Sequence, residues 1–261
     1  MRFISHVVQT GSSLLLYCHC AFTSRVPEEK RARFWDALAA SGRRFWAVDD
    51  LCRLAATRDP ALRQWMEQTE LTVVACYPRA VRGLLSAAGA CWDGRKLQVY
   101  NLRDQAVEEI LGALPAPEGG DGRPTAEMPQ RQGSWTPWFP VIDRDRCHNC
   151  KQCLSFCLFG VYELSAEGIV EVRQPQSCKN NCPACARICP EVAIQFPKLN
   201  EAPLNGAPIL DEQLERAKVK VNLDQMLGSD AYAALAERRK KARQRRLFAV
   251  TPTDLTPGDA P

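Results

Sequence analysis

The chain has 261 residues, 46% of them hydrophobic, and its 34 Lys and Arg against 30 Asp and Glu give a formal net charge of +4. That length suits one or two domains with tails. No apolar run approaches the roughly 20 residues of a membrane span, the Leu14–Tyr17 run is too short for a signal-peptide core, and so small a charge does not mark a nucleic-acid binder.

Residues 1–114 read as an α/β domain. Residues 13–18 (SLLLYC) are a strand candidate. Residues 28–41 have helical periodicity, with Phe34 and Leu38 on one face. Residues 44–48 form the next strand, and Asp59-Pro60 opens a short helix through Met66. Residues 71–76 (LTVVAC) are a continuous, β-branched strand. Pro78 starts a helix that ends around Gly89, residues 97–100 make a fourth strand, and a helix follows from Arg103 to Leu111. The alternation predicts a small parallel sheet.

Residues 115–134 are rich in Pro and Gly and read as a linker. Residues 135–200 form a second, cysteine-rich α+β unit. Trp135, Trp138 and Phe139 at its start are expected to pack the linker onto it. Residues 201–261 are a C-terminal extension, Pro-rich at first, helical over about 211–248, with a disordered tail. Seven Lys and Arg between 238 and 246 read as a solvated helix end favoured by the helix dipole. Docking to an acidic partner is the functional alternative.

Eight of the 13 cysteines fall in two blocks. The first is Cys147, Cys150, Cys153 and Cys157. The second is Cys178, Cys182, Cys185 and Cys189, followed by Pro190. C-x2-C-x2-C-x3-C wraps three thiolates around one cubic iron–sulfur cluster and sends the fourth to a neighbouring cluster. By that logic one [4Fe–4S] cluster takes Cys147, Cys150, Cys153 and Cys189, and the other takes Cys178, Cys182, Cys185 and Cys157. Flanking segments repeat as well: strand, cysteine loop, short helix, strand. Residues 138–197 thus resemble bacterial dicluster ferredoxins. Two departures stand out. Leu158 occupies a place where proline often follows, and three residues rather than two separate Cys178 from Cys182. A zinc site uses four ligands in all, and a disulfide framework needs an oxidising compartment. An oxidised [4Fe–4S] core with four thiolates carries about −2, so two or three of them bring the formal +4 to about 0 or −2.

Four more cysteines lie at strand ends: Cys18 and Cys20 after the first strand, Cys52 after the second, Cys76 closing the third. In a parallel sheet these carboxyl ends share one edge, where ligand sites form. Four converging thiolates suit another cluster or a zinc ion. The alternative is structural or reactive thiols. Cys91 is left over. His19 reads as a packing residue rather than a ligand. His148, inside the first cysteine loop, is placed to tune a cluster through a hydrogen bond to sulfur.

The segments Tyr17-Cys18-His19-Cys20, Cys52, Cys76-Tyr77-Pro78-Arg79 and Asn101-Leu102-Arg103-Asp104-Gln105 resemble, in order and spacing, the N-terminal domain of the flavin-bearing subunit of heterodisulfide reductase. The resemblance covers about residues 14–113. It implies an iron–sulfur cluster on Cys18, Cys20, Cys52 and Cys76. Members of that family continue into a flavin domain, whereas no G-x-G-x-x-G follows a strand here, so no flavin is carried over.

The sequence therefore points to an iron–sulfur electron-transfer subunit of a larger cytoplasmic oxidoreductase, with redox proteins as partners. A redox enzyme using the N-terminal thiols, and a non-catalytic scaffold or sensor, are the alternatives. No acid–base or Ser/His/Asp constellation favours the enzyme reading.

Overall fold

The computed structural model describes residues 13–66, 70–89, 96–116, 128–131 and 133–227, together with 233, 237, 240 and 241. Four parallel strands, β1 (Ser13–Cys18), β2 (Trp46–Val48), β3 (Glu70–Ala75) and β4 (Lys96–Asn101), form one sheet in the order β2-β1-β3-β4. Chain direction across the sheet reverses between β1 and β3, the place where open α/β sheets form ligand crevices.

Alternate residues of β1 bury to opposite faces, as the pleat requires. Leu14, Leu16 and Cys18 join one core with α2 (Leu51–Thr57), α3 (Pro60–Met66) and α4 (Pro78–Ala87). Leu15 and Tyr17 join the other with α1 (Glu28–Ala39) and α5 (Val107–Ala113). A strand covered on both faces is apolar along most of its length, which explains the runs Leu14–Tyr17 in β1 and, around Thr72, Leu71–Ala75 in β3.

Two expectations are corrected. Helix α2 was not foreseen: Asp50 caps it, its Oδ1 accepting from Arg53 N at 3.1 Å, so Cys52, expected just after the second strand, sits in a helical first turn. The helix expected from Arg103 begins at Val107. Asn101 and Gln105 instead close a turn on their own backbone: Asn101 N donates to Gln105 Oε1 at 2.7 Å and Arg103 N to Asn101 Oδ1 at 3.0 Å. Side-chain bonds of this kind compete with helix.

The second unit pairs β5 (Val141–Ile142) antiparallel with β8 (Ile194–Gln195), and β6 (Tyr162–Leu164) antiparallel with β7 (Val170–Val172). Helices α6 (Gln152–Phe156) and α7 (Ala184–Arg187) carry parts of the cysteine blocks. First strand pairs with last and second with third, the pseudo-two-fold arrangement expected from the repeat. Helix α8 (Glu212–Leu227) follows. Most of the expected basic helix 230–248, the linker core 117–127 and Cys91 lie outside the described residues.

The two units share packing. Phe139 and Val141 bury in the core of the first unit, while Trp138 stacks on Phe196 in the second, 5.3 Å between ring centroids. Trp135 also packs on the first core, so the aromatic triplet joins both units rather than sealing one. A methyl on Gly83 of α4 would stand 2.6 Å from Val141 Cγ1. Helix and strand approach this closely only because Gly83 has no side chain. Gly83→Val is expected to destabilise the fold by about 2–3 kcal/mol, read as a lower denaturant midpoint. An unchanged midpoint would show that the two units do not pack through this contact.

Candidate metal centres

All twelve cysteines in the described residues are free thiols. The structure brings them together in three groups of four.

The N-terminal group forms at the carboxyl edge of the sheet. Beyond β1 and β2, His19 N donates to Val48 O at 2.9 Å and Ala21 N to Asp49 O at 2.8 Å, extending the parallel ladder. Cys20 takes a left-handed turn at φ 52° and folds its sulfur to 3.4 Å from Cys18 Sγ. The Leu51 backbone N–H donates to Cys18 Sγ at 3.2 Å. Cys18, Cys20, Cys52 and Cys76 are all buried. Cys18 and Cys76 both lie within electrostatic reach of Cys52. Contact with Cys20 and burial hold the Cys18 thiol well above its usual range, and burial does the same for Cys52. Burial first, then Cys18, push Cys76 up to about 12. Cys18, Cys52 and Cys76, with their thiols held so high, ionise only against a positive centre, and metal binding supplies one by displacing protons. His19 bonds through Nδ1 to Tyr17 Oη at 3.0 Å, the packing role expected of it.

In the second unit, Cys147, Cys150, Cys153 and Cys189 line one cavity with Ile142, Val170 and Ile194. Burial and then the neighbouring Cys189 push the Cys153 thiol up to about 12. Asn149, in left-handed conformation at φ 61°, ties this loop to the β6–β7 hairpin: its Nδ2 donates to Gly168 O and its Oδ1 accepts from Val170 N, both at 2.9 Å. Asn tolerates that conformation better than most residues. Ala193 N donates to Cys189 Sγ at 3.4 Å.

The remaining four, Cys157, Cys178, Cys182 and Cys185, neighbour one another. The extra residue after Cys178 is absorbed in a turn, where Cys182 N donates to Lys179 O at 3.1 Å and Asn181 is left-handed at φ 60°. Cys157 is thus a neighbour of Cys178 and Cys185, while Cys189 lines the cavity with Cys147, Cys150 and Cys153. Cys185 also lies within reach of Cys153, so the two groups adjoin. His148 does not turn to sulfur as expected; its Nδ1 faces Glu191 Oε1 at 3.7 Å.

No group of three or more His, Cys, Asp or Glu in the described residues is placed to hold a single metal ion. Zinc needs its sulfurs about 2.3 Å from one point. The ligands of a cubic cluster attach to four separate irons and stand farther apart. A soft sulfur set lining an apolar cavity, as Cys147, Cys150, Cys153 and Cys189 do, fits that larger group.

Sequence reasoning missed Tyr162 and Lys198. Tyr162 is 1% exposed, and its phenol lies beside the Cys185 sulfur, placed to donate to it. Hydrogen bonds to cluster sulfurs raise the reduction potential. A bond of about 1 kcal/mol corresponds to about 40 mV for one electron. Tyr162→Phe is expected to lower the potential of one cluster by about that amount, measured by voltammetry. Equal potentials in the two proteins would discount the bond.

No family model and no solved structure matches the chain. Among curated proteins it is 51% identical over 61 residues to an uncharacterized ferredoxin of Methanocaldococcus jannaschii, covering 23% of this chain and 41% of that one. It is 36% identical over 76 residues to Ferredoxin-3 of a Nostoc species, covering 22% of this chain and 77% of the relative. It is 32% identical over 73 residues to the pyruvate synthase subunit PorD of Methanothermobacter marburgensis, covering 28% of this chain and 83% of the relative. The chain thus spans less than half of the first relative and about four-fifths of the other two.

Proposed function

The chain belongs to the ferredoxin family, and we propose that it is an electron-transfer subunit carrying three iron–sulfur centres. Cys147, Cys150, Cys153 and Cys189 would hold one [4Fe–4S] cluster, and Cys178, Cys182, Cys185 and Cys157 a second. Cys18, Cys20, Cys52 and Cys76 would hold the third, on a domain of the kind found at the N-terminus of the flavin-bearing subunit of heterodisulfide reductase. The observation that carries the reading is the gathering of twelve thiols into three fours, in the partition that cluster exchange requires.

Such clusters take up and return single electrons without forming a bond to substrate. The protein's part is to bury and orient them. Apolar walls from Ile142, Val170 and Ile194 exclude water from the first centre. Backbone N–H groups of Leu51 and Ala193 donate to the Cys18 and Cys189 sulfurs. The adjoining of Cys153 and Cys185 supports transfer between the two ferredoxin centres. The relative named as a pyruvate synthase subunit supports a place within a larger oxidoreductase, with other redox proteins as partners. No helix in the described residues is long and apolar enough to cross a membrane. The proposed compartment is the cytoplasm, where thiols stay reduced.

The test is iron and sulfide analysis with EPR of the anaerobically reduced chain. Three cubic centres give about twelve irons. About eight irons, with the N-terminal thiols open to alkylation, would assign Cys18 and its neighbours to thiol chemistry instead.

A further inference from the structure

The Pro-rich residues 197–209 lack any periodicity, yet one lysine from them enters the N-terminal thiol site. Lys198 is 7% exposed and forms an ion pair with Asp50, which is fully buried. Its backbone is held from the first unit on two sides. Arg103 Nη1 donates to Pro197 O at 3.2 Å, and Arg25 Nε donates to Lys198 O at 3.2 Å. Arg103 follows β4, and Arg25 lies between β1 and α1, so the segment crosses the carboxyl edge of the sheet. The ammonium faces Cys52, Asp50 and Cys20. At Cys52 its influence exceeds that of the Asp50 carboxylate; at Cys76 it comes after Arg103 of the first unit and ahead of Asp50, whereas Cys18 faces the carboxylate. The site takes its four sulfurs from one unit and a cation from the other.

We propose that Lys198 is a positioning residue that supplies a fixed positive charge to the N-terminal centre and raises its reduction potential. This rests on the reading that Cys18, Cys20, Cys52 and Cys76 hold an iron–sulfur cluster. Reduction adds one electron to an anionic group in a buried site. A nearby cation lowers the energy of the reduced form more than that of the oxidised form, and burial strengthens the effect. Asp50 serves to hold the ammonium in place, its carboxylate being bonded both to Lys198 and to the cap of α2. The same lysine ties closure of the second unit over the sheet edge to the electronic character of the centre beneath it.

The experiment is an EPR-monitored redox titration of the full chain, loaded anaerobically with iron and sulfide. Lys198→Met is expected to cut the reduced-to-oxidised ratio of the N-terminal signal about tenfold at fixed potential, a shift of 59 mV for one electron. Lys198→Arg should stay close to the unmodified chain, and the two ferredoxin signals should not move. Lys198→Met leaves Asp50 as a buried unpaired charge and risks misfolding. The comparison is therefore repeated in an Asp50→Asn background. There the loss of Lys198 should again lower the ratio about tenfold. A third signal indifferent to Lys198 in both backgrounds overturns this inference alone. A chain with about eight irons and no third signal overturns the reading beneath it.

Discussion

Serine at both Cys18 and Cys76 is expected to remove four of about twelve irons per chain and one EPR signal, leaving the other two. Topology makes these two positions a pair. β1 and β3 are adjacent and parallel, with Tyr17 in register with Val74, so their carboxyl ends deliver Cys18 and Cys76 to the same edge. Both are buried, at 3% and 8% exposure. A serine oxygen is a harder and more basic donor than a thiolate and suits iron–sulfur iron poorly. Two of four ligands are then lost at once. Serine at Cys189 should instead strip iron from the group containing Cys147, a residue 42 positions earlier in the chain. Unchanged iron content in the Cys18/Cys76 variant would leave the N-terminal group as ordinary buried thiols.

The ferredoxin half was legible because its chemistry is written in spacing. Cys150, Cys153 and Cys157 recur as Cys182, Cys185 and Cys189, and the fold needs little else to bring the two blocks together. The sheet of the first half was legible for a different reason. Strands buried on both faces read as near-continuous apolar runs, and Leu14–Tyr17 and Leu71–Ala75, the latter interrupted only by Thr72, are such runs. Their order across the sheet, with the reversal between β1 and β3, was not legible, because pairing partners leave no mark in a single strand. Asp50 before Leu51 was a capping signal that went unread, and α2 with it. The Asn101–Gln105 turn was hidden by the opposite problem. Its residues suit a helix, and only the side-chain bonds of Asn101 and Gln105 decide against one.

Lys198 had no signal at all. Nothing in a Pro-rich segment distinguishes a lysine that solvates a loop from one that pairs with a buried aspartate 148 residues earlier. Contacts that join the two units are invisible for the same reason: each half of the pair looks ordinary where it stands. The small residues at the junction behave likewise. Gly83 and Ala80 read as ordinary helix residues of α4, yet the one meets Val141 and the other meets Gly206, which adopts φ +95° to pass it.

Arg79 is where this junction is most exposed to test. It follows Cys76 by three residues, in the first turn of α4, and all its donor nitrogens reach into the second unit or the segment that follows it. Nε donates to Asp143 Oδ2 at 3.1 Å, Nη2 to Val192 O at 3.0 Å, and Nη1 to Ala207 O at 2.9 Å and Pro203 O at 3.4 Å. Two of these acceptors bear on a proposed cluster loop. Asp143 O accepts from Cys147 N at 3.0 Å, and Val192 holds φ +50°, a conformation a β-branched residue adopts only under constraint. Removing the guanidinium leaves a carboxylate and three carbonyls to find other donors in a nearly closed interface. Arg79→Ala is therefore expected to cost about 3 kcal/mol, seen as a lower denaturant midpoint with clusters in place. Arg79→Lys should recover only part of the loss, since an ammonium is a point charge and cannot span the fork of acceptors. The two ferredoxin centres should also lose iron faster to a chelator in Arg79→Ala, because the loops carrying Cys147 and Cys189 lose their tether. A variant with the original midpoint and chelation rate would mean that the packing of Phe139, Val141 and Gly206 alone holds the units together.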